Sequence, residues 1–119
     1  MDKVISDLLK DLGVSPAYIG YEYLRSSIKF GLEDIEYIRN MNKSLYPALS
    51  EKHFVCMSGL ARAMDSSIKR AWNIPGVEMQ KVMFRGTAHS YTNVPITKEF
   101  IATVVDYIQT YMEVDDGSK

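Results

Sequence analysis

One helical face of the stretch from Ser58 to Asn73 carries residue types that could bind DNA. At a spacing of about 100° per residue, this face presents polar and basic side chains and one glycine. The residues on it are Gly59, Arg62, Ser66, Lys69 and Asn73. The guanidinium of Arg62 could donate two hydrogen bonds to O6 and N7 of a guanine, the commonest base-specific contact in the major groove. The alternative interpretation is a solvated arginine, because any surface helix has a polar face.

The elements that would position this face are two helices joined by a short turn, over about residues 47–72. Pro47 can open the first helix, since a proline has no N–H to lose at the first helical position. Ser58 is suited to cap the second, because its hydroxyl can accept a hydrogen bond from an unpaired backbone N–H. Opposite Arg62 the second helix has an apolar stripe. The stripe contains Leu60, Met64, Ile68, Ala71 and Trp72. A short helix, a turn and a longer helix with a basic outer face are typical of a helix-turn-helix DNA-binding motif.

His53 and Cys56, near the turn, are spaced like part of a zinc site. A structural zinc site needs four ligands, and only His89 and scattered carboxylates remain in the sequence. We therefore interpret His53 as a turn histidine and Cys56 as a small buried thiol. The sequence shows no glycine-rich phosphate loop, nucleophile elbow or paired catalytic carboxylates. We expect no enzyme activity, no cofactor and no metal.

The length and charge of the chain limit its class. A chain of 119 residues, 46% of them hydrophobic, is sufficient for one domain. We expect this domain to span residues 1–112 and residues 113–119, which lack core side chains, to be a disordered tail. A formal net charge of −1 argues against binding nucleic acid through an overall positive field. A local basic patch remains, because the stretch from Lys52 to Trp72 contains three more cations and a single anion.

The cysteine content and hydropathy indicate where the protein resides. A single cysteine excludes an intrachain disulfide and fits a reducing, cytoplasmic environment. No apolar run approaches the roughly 20 residues of a membrane-spanning helix. We therefore expect no contact with a membrane.

Apolar periodicity predicts an all-α bundle of six or seven helices. Besides the two helices above, the pattern predicts helices over residues 2–12, from 18 or 20 to 30, about 35–45, 77–84 and 97–112. We expect Gly13 to stop the first helix in a left-handed conformation, Gly31 to end the second helix and Thr97 to cap the last. Residues 85–94 are polar, and we expect a loop or a short hairpin there.

Four short motifs occur in order along the chain. A G-V-x5-G-Y-x-Y-L-R-x2-I run begins at Gly13, L-Y-P begins at Leu45, A-W begins at Ala71 and E-F-I-A begins at Glu99. Together they resemble the C-terminal effector domain of the stage-zero sporulation protein A family of response-regulator transcription factors, over nearly the whole chain. The resemblance implies an all-α domain that binds double-stranded DNA through the major groove. It also implies a homodimer in tandem on DNA and contact with RNA polymerase through a segment corresponding to residues 73–85, which has diverged here.

The resemblance places Arg62 on a base-contacting arginine of the family, but three neighbouring polar positions differ. Gly59 replaces an arginine, Ala61 replaces a base-contacting glutamate, and Asp65 replaces a base-contacting arginine. We therefore expect altered or weakened target specificity. The residues expected at the DNA interface are Arg62, Ser58, Gly59, Ala61, Asp65, Ser66, Lys69, Arg70 and Lys52.

Two functions remain open from the sequence. The first is a sequence-specific DNA-binding transcription regulator. The second is a degenerate relative that acts as a protein-interaction module, pairing with a related effector domain or with RNA polymerase without reading DNA. No receiver-like segment precedes the first helix, and Met1 favours a stand-alone effector domain over a fragment of a longer regulator.

Overall fold

The structure, a computed structural model, describes residues 1–85 and 93–112. Within these residues the chain forms seven α-helices, one short π-helix and no strand, which confirms the prediction of an all-α bundle. The helices are α1 (Asp2–Asp11), α2 (Tyr21–Glu33), α3 (Glu36–Arg39), α4 (Tyr46–His53), α5 (Met57–Trp72), α6 (Glu78–Phe84) and α7 (Thr97–Tyr111), and the π-helix spans Met41–Leu45. Most of the predicted loop or hairpin and the whole predicted tail lie outside the described residues. No described helix combines the length and the apolar character needed to cross a membrane.

The first helix follows its apolar pattern closely. α1 buries Ile5, Leu8 and Leu9 on one side. Gly13 follows with a φ of +95°, a left-handed conformation that glycine adopts without a steric penalty. The prediction that Gly13 stops this helix is confirmed.

The prediction that Gly31 ends the second helix is wrong. α2 continues through Gly31 to Glu33, and Gly31 is buried. A Cβ at this position would lie 2.9 Å from side-chain carbons of both Ile38 and Val105. Gly31 is therefore needed for close packing of α2 against α3 and α7, and not for a turn.

The helix predicted over about residues 35–45 is interrupted. Asp34 Oδ1 accepts a hydrogen bond from the Glu36 N–H at 3.0 Å and starts α3. The backbone leaves helical geometry at Asn40, with φ −126° and ψ 58°, before the π-helix begins. The wider π-turn keeps both Met41 and Leu45 buried despite the break.

A turn of three residues, 54–56, joins α4 to α5. Pro47 occupies the first turn of α4 as predicted. α5 begins at Met57 with Cys56 in the N-cap position, and no side chain caps it. The prediction that Ser58 caps α5 is therefore wrong, because the helix starts one residue before Ser58. The predicted cap at Thr97 is also wrong, since Thr97 is the first residue of α7 and Ile96 precedes it as an N-cap without a side-chain hydrogen bond.

α7 packs against α2, α3, α5 and α6, and three aromatic rings meet at one side of it. Trp72 contacts Phe84 and Phe100 edge-on, with ring centroids 5.1 and 5.9 Å apart. The buried Gln80 of α6 donates from Nε2 to the carbonyls of Leu12 and Ala71, each at 2.9 Å. These contacts attach the end of α5 to α1, α6 and α7.

The start of α2 approaches the backbone of α5 through Gly20. The Gly20 N–H donates to Ser67 Oγ at 2.9 Å, and Ser67 Oγ donates to the Ala63 carbonyl at 2.9 Å. A Cβ on Gly20 would lie 2.4 Å from the Ala63 oxygen. Because backbone atoms cannot rotate away as a flexible side chain can, only glycine fits here.

Gly20→Ala is expected to destabilise the protein, while Gly59→Ala is its control. Overpacking of this kind typically lowers the free energy of unfolding by about 1–3 kcal/mol. A Cβ on Gly59 would meet only Cys56 Sγ at 3.5 Å, and alanine in a helix is favoured over glycine by up to about 1 kcal/mol. Urea unfolding of the three proteins measures both effects. A Gly20→Ala variant as stable as the parent would show that the two helices are not held at this distance.

Candidate nucleic-acid interface

The outer face of α5 is exposed as the apolar stripe predicts. The inner side of the helix buries Leu60, Ala63, Met64, Ser67, Ile68 and Ala71. The exposed residues on the other side include Ser58, Gly59, Arg62, Ser66 and Lys69. The guanidinium of Arg62 thus lies at the surface, where it can contact a ligand.

A shallow depression of about 580 Å³, open to solvent, lies beside this face, and we call it the α5–α7 groove. From α5 it is lined by Ser58, Ala61, Arg62 and Asp65. Met41, Tyr46 and residues 96–98 at the start of α7 complete the lining. Burial, and then the charge of Asp65, raise the pKa of the Tyr46 hydroxyl, so Tyr46 stays neutral in this groove.

Asp65 pairs with a cation of its own helix. Its carboxylate lies 3.0 Å from Lys69 Nζ, one helical turn away, and both side chains are exposed. An exposed ion pair of this kind contributes about 0–1 kcal/mol. The carboxylate of Asp65 therefore offsets the charge of Lys69 but does not fix the position of the Lys69 side chain.

Two of the predicted interface cations lie over aromatic rings. The Arg70 guanidinium carbon is 4.3 Å from the ring centroid of Tyr18, in the connection before α2. Lys52 Nζ is 5.8 Å from the ring centroid of Phe30. The structure therefore brings Ser58, Ala61, Arg62 and Asp65 together in one groove, whereas Lys52 and Arg70 each contact a ring of another segment.

Cys56 lies in the turn that follows His53, directly before α5. Cys56 is exposed, so its interpretation as a buried thiol is wrong. Its Sγ is 3.6 Å from Ser58 Oγ, and hydrogen bonds from Ser58 and the Gly59 backbone lower the pKa of the thiol. Among residues 1–85 and 93–112 no cluster of three or more His, Cys, Asp or Glu side chains could hold a metal ion. His89 lies outside those residues.

A protein-family model described as the C-terminal domain of the sporulation initiation factor Spo0A matches residues 5–108. The chain belongs to this family. The predicted resemblance is thereby confirmed. The Spo0A C-terminal family consists of DNA-binding effector domains of transcription regulators and is not an enzyme class. Membership supports the same general role for this chain. The assignment of individual residues to a DNA interface remains a prediction.

Within this family fold, the turn before α5 exposes a large aromatic side chain. Phe54 is 90% exposed and has a φ of 58°, the only positive value at a non-glycine residue in the described part of the chain. The Val55 N–H donates to the Ser50 carbonyl, and Ser50 Oγ donates to the Val55 carbonyl, so the turn itself is well bonded. Phe54 was not predicted from the sequence, because its residue type gives no signal for a left-handed turn position.

His53, at the end of α4, connects the motif to α2. Its Nε2 lies 2.9 Å from Ser26 Oγ, and its ring contacts Tyr23 edge-on at 5.0 Å between centroids. Burial, and then the charge of Lys52, lower the pKa of the imidazole. The fold therefore favours neutral His53.

Lys98 is a groove residue that sequence analysis also missed. It comes from the first turn of α7, and its Nζ donates to the Arg39 carbonyl at 3.2 Å. No local pattern links Lys98 to Arg62, because only the packing of α7 brings them to one groove. A single basic residue next to a helix start gives no indication of such a contact.

Protonation of His53 is expected to destabilise the fold at mildly acidic pH. The folded-state pKa of His53 lies below the ordinary value of 6.5. Neutral His53 therefore contributes its full stabilisation above pH 6.5, and this contribution is lost as the pH falls from 6.5 toward the folded-state pKa. His53→Gln keeps a hydrogen-bonding group near Ser26 and should remove this dependence. Urea unfolding from about pH 7 to about pH 5.5 measures the effect. His89 is present in both proteins, so identical pH dependence would rule out His53 as its source.

Phe54→Asn is expected to raise the melting temperature. An L-residue in the left-handed region is strained by about 1–2 kcal/mol, and asparagine tolerates that region better. Phe54→Ala is the control, since it removes the exposed ring but keeps a strained Cβ. Equal melting temperatures for the asparagine and alanine variants would show that backbone strain is not relieved at this position.

Proposed function

We propose that the chain is a sequence-specific DNA-binding transcription regulator with a target preference different from that of its family. The observation that carries this proposal is the exposed guanidinium of Arg62 on the outer face of α5. The helix diameter, about 10–12 Å with side chains, matches the width of the major groove. With α5 in that groove, Arg62 is the side chain suited to a bidentate contact with guanine.

The residues around Arg62 support a changed preference. Gly59 has no side chain to reach a base, and Ala61 lines the groove with a methyl group only. Asp65 carries a negative charge that pairs with Lys69. A carboxylate can accept from the N4 amine of cytosine but repels phosphates. Each lost bidentate contact removes about 1–3 kcal/mol of discrimination, so the family's usual target would be distinguished poorly.

The alternative is a protein-interaction module that pairs with a related effector domain or with RNA polymerase. Phe54 favours it, because its ring is almost fully exposed in the turn between α4 and α5, where a partner protein could cover it. The net charge of −1 also favours it, since such a chain attracts DNA weakly at long range. Salt dependence separates the two functions. A DNA-binding domain that neutralises about four phosphates loses affinity with a log–log slope near −4, whereas an interaction module shows no saturable DNA binding.

Arg62→Ala is expected to weaken binding to a site selected from random duplexes. Loss of a bidentate contact of about 1–3 kcal/mol corresponds to roughly 5- to 150-fold in affinity. The variant should also relax base preference at one position while its melting temperature stays unchanged, because Arg62 is exposed. Arg25→Ala is the control, since it removes a guanidinium that pairs with Glu22 on α2 at 2.7 Å. Equal affinity of the parent and Arg62→Ala would contradict this role.

Asp65→Asn is expected to raise DNA affinity. It removes a charge that repels phosphates and releases Lys69 from its ion pair. With one more cation available, the salt slope should steepen by roughly 0.9. Fluorescence anisotropy over a series of salt concentrations measures both quantities. Unchanged affinity and slope would mean that this face of α5 does not meet the duplex.

A further inference from the structure

Lys98 and Arg62 border the same groove although they belong to different helices. Arg62 lies on the outer face of α5, and Lys98 lies at the start of α7. The ammonium of Lys98 donates to the Arg39 carbonyl at 3.2 Å, which uses one of its three N–H donors. This bond attaches the ammonium to the backbone at the end of α3, and Lys98 is exposed and lines the groove.

The charges around the groove favour an anionic occupant. The lining contains two cations, Arg62 and Lys98, and one anion, Asp65. The carboxylate of Asp65 already lies 3.0 Å from Lys69, outside the lining. The hydroxyls of Ser58 and Thr97 add hydrogen-bond donors to the same surface.

We infer that the α5–α7 groove holds one sugar–phosphate strand of the bound duplex and that Lys98 contacts a phosphate there. The inference rests on the proposed function, because it places α5 in the major groove. A helix of about 10–12 Å fills a groove of about 12 Å, so the two DNA strands that border it run along the sides of the helix. A surface beside the outer face of α5 must then lie against one of these strands.

The two cations have different roles in this arrangement. Arg62 contacts a base edge and determines which sequence is preferred. Lys98 contacts the backbone, fixes the position of the strand and carries no sequence information. The apolar lining, which includes Ile96, packs against deoxyribose. Lys98 is thus a positioning residue whose contribution depends on ionic strength and not on base sequence.

The test compares Lys98→Gln, Lys98→Arg and the control Lys10→Gln in binding to the selected site and to a random duplex. Glutamine keeps a side-chain N–H donor but has no charge. Lys98→Gln should weaken binding to both duplexes by the same factor and reduce the salt slope by about 0.9. Its deficit relative to the parent should therefore shrink roughly threefold between about 50 and 200 mM salt. Lys98→Arg and Lys10→Gln, a change on the exposed side of α1, should keep the parent slope.

The outcomes separate this inference from the proposed function. No saturable DNA binding by the parent would overturn both. Parent binding with an unchanged slope in Lys98→Gln would overturn only the role of Lys98. A loss confined to the selected site would show that Lys98 reads bases, which also contradicts the phosphate contact. If Lys98→Gln lowers the melting temperature, the salt slopes are compared at a temperature where both Lys98 variants are folded. A parent-like slope in Lys98→Arg with a reduced slope in Lys98→Gln then supports the inference. Equal slopes in the two variants overturn it.

Discussion

The close approach of Gly20 to the backbone of α5 is the constraint on which the exposed face of that helix depends. Glycine lets the start of α2 lie against the Ala63 carbonyl, and Ser67 bonds to both backbones. Because the contact joins backbone to backbone in a close-packed interior, it limits rotation of α5 about its own axis. A shift of one residue, about 100°, would turn Arg62 toward the core and expose part of the apolar stripe. The orientation of the polar face is therefore set by packing on the opposite side.

The basic side chains of the motif differ in the contacts that hold them in the free protein. Arg70 and Lys52 lie over rings, Lys69 pairs with Asp65, and Arg62 borders the groove. Cation–π contacts at exposed sites and surface ion pairs are each worth about 1 kcal/mol or less. A phosphate can displace such partners at small cost, because it offers a full charge and several acceptor oxygens. These contacts consequently order the side chains in the free protein without preventing their use in a complex.

Apolar periodicity in the sequence was sufficient to predict a helix where the element buries side chains repeated at helical spacing, as in α1, α5, α6 and α7. It did not predict features that depend on a contact with a distant element. Gly31 has the residue type of a helix end, yet the side chains of Ile38 and Val105 explain why glycine is required inside α2. The exposure of Arg62 could be predicted from the apolar stripe on the opposite side of its own helix, α5. Lys98 could not be found in this way, since its place beside α5 depends on how α7 packs.

Short-range contacts must decide DNA affinity in a chain whose net charge is −1. Long-range steering depends on the summed charge, and at physiological salt it is screened beyond about 8 Å. The acidic residues far from α5 therefore oppose the approach of a duplex at low salt but matter little once it is bound. Near the groove the local charge is positive, because the Asp65 carboxylate is paired with Lys69 and the lining contains two cations, Arg62 and Lys98. In the proposed interface, affinity rests on few contacts, so each cation would account for a larger share of the binding free energy than it would in a strongly basic domain. Site selection in the proposed interface therefore depends on local geometry and gains little from non-specific attraction to the duplex.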